Sequence, residues 1–131
     1  MSKPVILCVD DEVVVLESLK IQLKQEFGDT YFYEMAESAD EALEIIEELH
    51  EDNIDILVIV SDWLMPGMKG DEFIIRVHDK YPNIIKVLLT GQADSEAIER
   101  AQHQANLHRC LYKPWNAKEL IETIKSGLAK S

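Results

Sequence analysis

The chain has 131 residues, 47% of them hydrophobic, which suits one domain with one substantial core and leaves no length for a second. Its 13 Lys and Arg against 25 Asp and Glu set a formal charge of −12, which opposes direct binding to nucleic acid or to an anionic membrane surface. No apolar run approaches a transmembrane length, and the opening MSKPVILCVDDE turns acidic too early for a secretory signal, so a soluble cytoplasmic protein is expected.

Short Val/Ile/Leu runs alternate along the chain with stretches of helical spacing. PVILCV (residues 4–9) predicts the first strand, β1. A helix over 12–27, α1, follows, with Val15, Leu16, Leu19, Leu23 and Phe27 on one face. YFYEMA (31–36) predicts β2, and 39–49 predicts α2, with Ser38 as its cap and Glu41 at the capping-box position. DILVIV (55–60) is β3, 71–80 is α3 and IIKVLLT (84–90) is β4. A helix over 94–105, α4, has Asp94 or Ser95 as its cap; LHRCLY (107–112) is β5 and 117–129 is α5. The runs at 4–9, 55–60 and 84–90 are apolar nearly throughout, as strands covered on both faces of a parallel sheet should be. Five βα units with short loops and right-handed crossovers make a parallel sheet with helices on both faces. Cys8 and Cys110 lie inside apolar runs without metal-ligand spacing and read as buried structural thiols. His50, His78, His103 and His108 read as solvated surface.

In such a sheet, ligands sit beyond the carboxyl ends of the strands. Those ends carry Asp10, Asp11 and Glu12 after β1, Asp62 after β3, Thr90 at the end of β4 and Lys113 after β5. Carboxylates desolvated together repel, so Asp10, Asp11 and Asp62 need a cation to share. A hard divalent ion such as Mg²⁺ suits oxygen ligands and keeps waters, leaving room for a phosphoryl group. The ion, the Lys113 ammonium and the Thr90 hydroxyl are the parts needed to neutralise phosphoryl oxygens while the Asp62 carboxylate attacks phosphorus. Trp63 either shields this site or packs on its rim, and Trp115 is expected to border a partner face.

Over essentially its whole length, as a single domain over 1–131, the chain resembles the receiver domain of two-component response regulators. The motifs that carry the resemblance are VDDE, SDWLMPGMKGDEF, VLLTG and YKPW, in that order. It implies a flavodoxin-like (βα)₅ fold with strand order 2-1-3-4-5, for which the chemotaxis receiver is a standard example. It also implies that Asp62 accepts a phosphoryl group from a histidine kinase or phosphotransfer protein. Asp11, Asp62 and the Leu64 backbone carbonyl would bind Mg²⁺, with Asp10 assisting through water. Thr90 and Lys113 would contact the phosphoryl oxygens, and the Lys113–Pro114 bond would be cis. A downstream effector would meet the α4-β5-α5 face, with a homodimer on phosphorylation as a further possibility. The chain departs from the family at Cys110, where receivers carry an aromatic residue that moves on activation. Leu64 and Gln92 occupy positions that tune dephosphorylation, and a leucine there is expected to exclude water and lengthen the life of the phosphoryl group. A haloacid-dehalogenase-like phosphatase is disfavoured because Leu64 stands where its general acid would be. A flavin module is disfavoured by the acidic loop after β1, and a degenerate docking domain by the full set of phosphorylation residues.

Overall fold

The computed structural model describes residues 3–92 and 94–130. Its elements follow the order β1 (Val5–Val9), α1 (Val13–Phe27), β2 (Phe32–Ala36), α2 (Ala39–Glu51), β3 (Ile56–Ser61), α3 (Gly70–Lys80), β4 (Ile85–Thr90), α4 (Ser95–Gln104), β5 (Arg109–Tyr112) and α5 (Ala117–Lys130). The five strands pair in parallel in the order β2-β1-β3-β4-β5, the doubly wound topology expected of five βα units.

Side chains alternate across each strand, and the alternation sorts the core into two layers. Val5, Leu7 and Val9 of β1 join Ile59 and Leu88 beneath α2, α3 and α4, meeting Ile46, Phe73, Ile74, Val77 and Ala101. Ile6 and Cys8 turn the other way with Val58, Val60, Val87, Leu89 and Leu111, against Leu16, Leu19 and Leu23 of α1 and Leu120, Ile121 and Ile124 of α5. Central strands covered on both sides account for runs without a polar period. The edge strand β2 keeps Phe32 exposed. Cys8, at the middle of β1, is completely buried, and burial followed by the charge of Asp10 pushes its thiol up to about 12.

Helix ends follow local side-chain chemistry. The Ser38 hydroxyl accepts the Glu41 N–H at 3.1 Å to open α2, and Asp94 rather than Ser95 accepts the Glu96 N–H at 2.9 Å to open α4. Asn116 accepts from Lys118 and Glu119 at the start of α5. Gly28 closes α1 at φ 56°, a conformation that favours glycine.

Two polar features depart from the sequence reading. Lys86 lies inside β4 at only 1% exposure, on the α3 side by alternation with Leu88. Its ammonium donates to the Ile84 carbonyl at 2.8 Å and to Nδ1 of His78 at 2.9 Å, so the His78 ring carries its proton on Nε2. Burial lowers the Lys86 pKa to about 8, while burial and then the Lys86 charge lower that of His78. His108 is also half-buried, with Nε2 2.8 Å from the Ser126 hydroxyl and 3.1 Å from the Thr123 carbonyl, where it ties α5 to the approach of β5. Of the four histidines, these two are therefore packing elements rather than solvated surface, because neighbouring elements supply their partners: Lys86 of β4 for His78, and Thr123 and Ser126 of α5 for His108. His50 and His103 are exposed as expected.

Lys86→Met retains a long unbranched stem and removes a buried charge, so it is expected to stabilise the fold by about 1 kcal/mol or more at neutral pH. Native Lys86 loses its proton near 8 and the unfolded chain near 10.5; between these values the unfolded chain binds more protons, so wild-type stability rises with pH. Urea unfolding at about pH 7 and about pH 10 should show the advantage of Met narrowing. An advantage that holds or grows would refute this account of Lys86.

Candidate functional site

Main-chain hydrogen bonds just past the strands set the site in register. Asp62 N–H donates to the Val9 carbonyl at 2.9 Å, Asp10 N–H to Ala36 at 3.1 Å, and Lys113 N–H to Thr90 at 2.9 Å. The residues that end β1, β3, β4 and β5 therefore stand side by side on one rim. Asp10, Asp11 and Asp62 each place a carboxylate oxygen within 4.8 Å of the others; Asp10 and Asp62 are buried and Asp11 is exposed.

Among the described residues, one ammonium compensates them. Lys113 Nζ lies 2.7 Å from Asp10 Oδ2, 3.5 Å from Asp62 Oδ2 and 3.8 Å from Glu12 Oε1. Burial alone would lower its pKa, but the hydrogen bond to Asp10 and the charges of Asp10, Asp62 and Glu12 outweigh it and hold the pKa above the ordinary value. Asp62 is shifted upward, chiefly by burial, with the Asp10 charge adding to it. Lys113, the Trp63 N–H and the Thr90 hydroxyl pull the other way without cancelling the shift.

Both Asp10 oxygens are engaged, Oδ1 by the Glu12 N–H at 2.8 Å and Oδ2 by Lys113. Asp62 Oδ1 accepts the Trp63 N–H at 2.8 Å. Thr90 is buried and its Oγ1 accepts the Gln92 N–H at 3.3 Å. Behind Asp62 the chain turns through Met65, Pro66 and Gly67, with Gly67 at φ 80°, and returns so closely that Gly70 N–H donates to the Trp63 carbonyl at 2.7 Å. A Cβ on Gly70 would overlap the Asp62 carbonyl oxygen and lie 2.8 Å from Trp63 Cα, so only glycine fits. The Lys113–Pro114 peptide is cis.

A cluster of hard oxygen donors with two buried members fits Mg²⁺ rather than a soft metal. With an ammonium and a hydroxyl on the same rim, such a cluster neutralises a phosphoryl group presented to a carboxylate.

The response regulator receiver domain family model matches residues 6–125. The chain belongs to that family. It is 31% identical over 122 residues to the chemotaxis protein CheY of Pseudomonas aeruginosa, covering 92% of each chain. It is 32% identical over 123 residues to the hydrogenase transcriptional regulatory protein HoxA of Cupriavidus necator, covering 94% of this chain but 24% of that regulator. The signal receiver domain of an HD domain-containing protein from Pseudomonas fluorescens superposes with a TM-score of 0.86 at 29% identity, covering 98% of this chain and 97% of the other. The domain is thus a phospho-accepting receiver with a Mg²⁺-type carboxylate site, a switch rather than a turnover enzyme. No helix among the described residues is long and apolar enough to cross a membrane.

Asp10, Asp11, Asp62, Leu64 and Lys113 lie on the loops at this end of the sheet and Thr90 ends β4; Leu64 is 41% exposed beside Asp62. Cys110 is half-buried against the α2–α4 layer, and burial raises its thiol pKa. Trp63 is nearly buried on the rim, its indole N–H donating to Asp71. Trp115 is half-buried against the α1–α5 layer, its indole N–H donating to Gln22 Oε1 of α1 at 2.7 Å. Asp71 and its partner Arg100 escaped the sequence reading, because an acid in a first helical turn and an arginine on an exposed helix face carry no sign of meeting.

The Asp62 shift means that native Asp62 holds its proton more tightly than the unfolded chain does. Stability therefore falls as pH rises through the unfolded value of 3.8 toward the native one, and the deficit persists at neutral pH. Asp62→Asn is expected to raise the melting temperature in Mg²⁺-free buffer. Mg²⁺ at about 100 times its Kd should stabilise the wild type by about 2.7 kcal/mol and leave Asp62→Asn and Asp11→Asn nearly unmoved. Equal Mg²⁺ responses in all three proteins would place the ion elsewhere.

Proposed function

We propose that Asp62 is the phosphoryl acceptor and that the donor is a histidine kinase or phosphotransfer protein. A carboxylate oxygen of Asp62 bonds to phosphorus as the donor's phosphorus–nitrogen bond breaks, and the electron pair leaves with the imidazole. Lys113, already 3.5 Å from Asp62 Oδ2, is placed to pair with a phosphoryl oxygen, and the Thr90 hydroxyl is placed to donate to another. Asp10 orients Lys113 and, with both oxygens engaged, fits a water-mediated role toward the metal. Mg²⁺, held by Asp11, Asp62 and the Leu64 carbonyl, would neutralise charge on the transferring group. The observation that carries this reading is the single ammonium shared by carboxylates from two different strand ends.

The readout is the α4-β5-α5 face, where Tyr112 stands 57% exposed and Arg109 is also exposed, available to a downstream effector. A homodimer on phosphorylation is the competing use of that face, and sedimentation with and without beryllofluoride separates the two. The chain spans about a quarter of HoxA, so the output of any longer protein that contains it is part of this proposal.

Incubation with Mg²⁺ and acetyl phosphate, followed by intact mass, is expected to show one added phosphoryl group, absent in Asp62→Asn and in EDTA. Lys113→Ala should slow its formation by about a hundredfold. An adduct that survives Asp62→Asn would reassign the acceptor. Exposed Leu64 shields the bond from water, so the phosphoryl group should persist for minutes or longer after donor removal; loss within seconds would argue against that role.

A further inference from the structure

Among the described residues, Asp71 is the one buried acid away from the strand-end cluster. At 3% exposure in the first turn of α3, it accepts the Trp63 indole N–H on Oδ1 at 3.0 Å and the Arg100 guanidinium of α4 on Oδ2 at 2.5 Å. Arg100 is otherwise largely exposed, so the pair joins a surface helix to a buried carboxylate. Trp63 is held at further points: its N–H donates to Asp62 Oδ1, its carbonyl accepts from Gly70, and the Lys69 ammonium lies 5.0 Å from its ring centroid. Asp62, Trp63, Asp71 and Arg100 thus form a continuous series of hydrogen-bonded groups from the rim to α4.

We infer that Asp71 is a positioning residue that couples the state of Asp62 to helix α4 through the Trp63 indole and Arg100. The inference rests on Asp62 being the phosphoryl acceptor. Ionised Asp62 holds the Trp63 N–H by a charge-assisted hydrogen bond. Phosphorylation turns that carboxylate into a mixed anhydride whose carbonyl oxygen is uncharged, because the charge moves out onto the phosphoryl oxygens, and the hydrogen bond weakens. Trp63 cannot relax alone, since Gly70 packs against its Cα and Asp71 grips its indole. Asp71 cannot shift without Arg100, because losing that partner would leave a buried charge unpaired. α4 is therefore the element that answers a change at Asp62.

Hydrogen exchange over residues 95–104, with and without Mg²⁺ and beryllofluoride, tests this, with native mass spectrometry of the folded protein scoring the adduct. Each variant is compared with itself in the two states, so a loss of stability alone does not mimic the result. The wild type should show a change in α4 exchange on activation. Arg100→Gln, at an exposed site outside the acceptor cluster, should still bind beryllofluoride while that change shrinks by about fivefold or more. Trp63→Phe, which deletes the N–H donor and keeps a ring, should do the same, and Arg100→Lys should restore part of the response. A full α4 response in both Arg100→Gln and Trp63→Phe overturns the inference. So does an adduct in the wild type with no α4 response, which leaves the acceptor reading intact. Failure of the wild type to take beryllofluoride sinks both.

Discussion

Everything at the functional rim depends on charge repulsion that the fold sustains. Three carboxylates within 4.8 Å, two of them buried, would protonate or separate if left alone. Lys113 prevents this only in part, since Asp62 still titrates above its ordinary value. The remaining imbalance is the driving force of the site, because a cation that enters finds ligands whose desolvation has already been met by folding. The same imbalance makes Asp62 costly to the metal-free fold, a common relation between function and stability.

That arrangement requires a rigid frame, and the parallel sheet provides it. The bonds from Asp62 to Val9 and from Lys113 to Thr90 continue the ladder one residue beyond the strands, so the acids and the ammonium are located by main chain rather than by flexible side chains. Gly70 brings the first turn of α3 onto the Asp62 backbone, and this contact joins the carboxylate rim to the packing of the α2–α4 layer.

The strand ends were legible because two local signals coincide at them: an apolar run and the polar residue at which it stops. Asp10, Asp62, Thr90 and Lys113 could each be assigned from neighbours a few residues away. Asp71, Lys86 and His108 could not. Asp71 meets Arg100 across 29 positions, and Lys86 reaches a ring on a preceding helix, so their burial depends on partners that only the tertiary fold supplies. Lys86 stands among five apolar or β-branched neighbours in β4, and a hydrophobic count passes over it. The cap of α4 was open between Asp94 and Ser95 for a related reason, as either side chain can bond the next turn and only the backbone path selects Asp94.

The completely buried Cys8 has a consequence for following this protein over time. Its thiol titrates near 12, so at neutral pH almost none of it is the reactive thiolate, and β1 is covered by helices on both faces. An alkylating reagent can reach it only when the central strand leaves the sheet. Cys110, half-buried at an edge strand, needs a far smaller opening. The two cysteines are built-in clocks of different reach, one timing local breathing beside α4 and the other timing dissolution of the whole sheet.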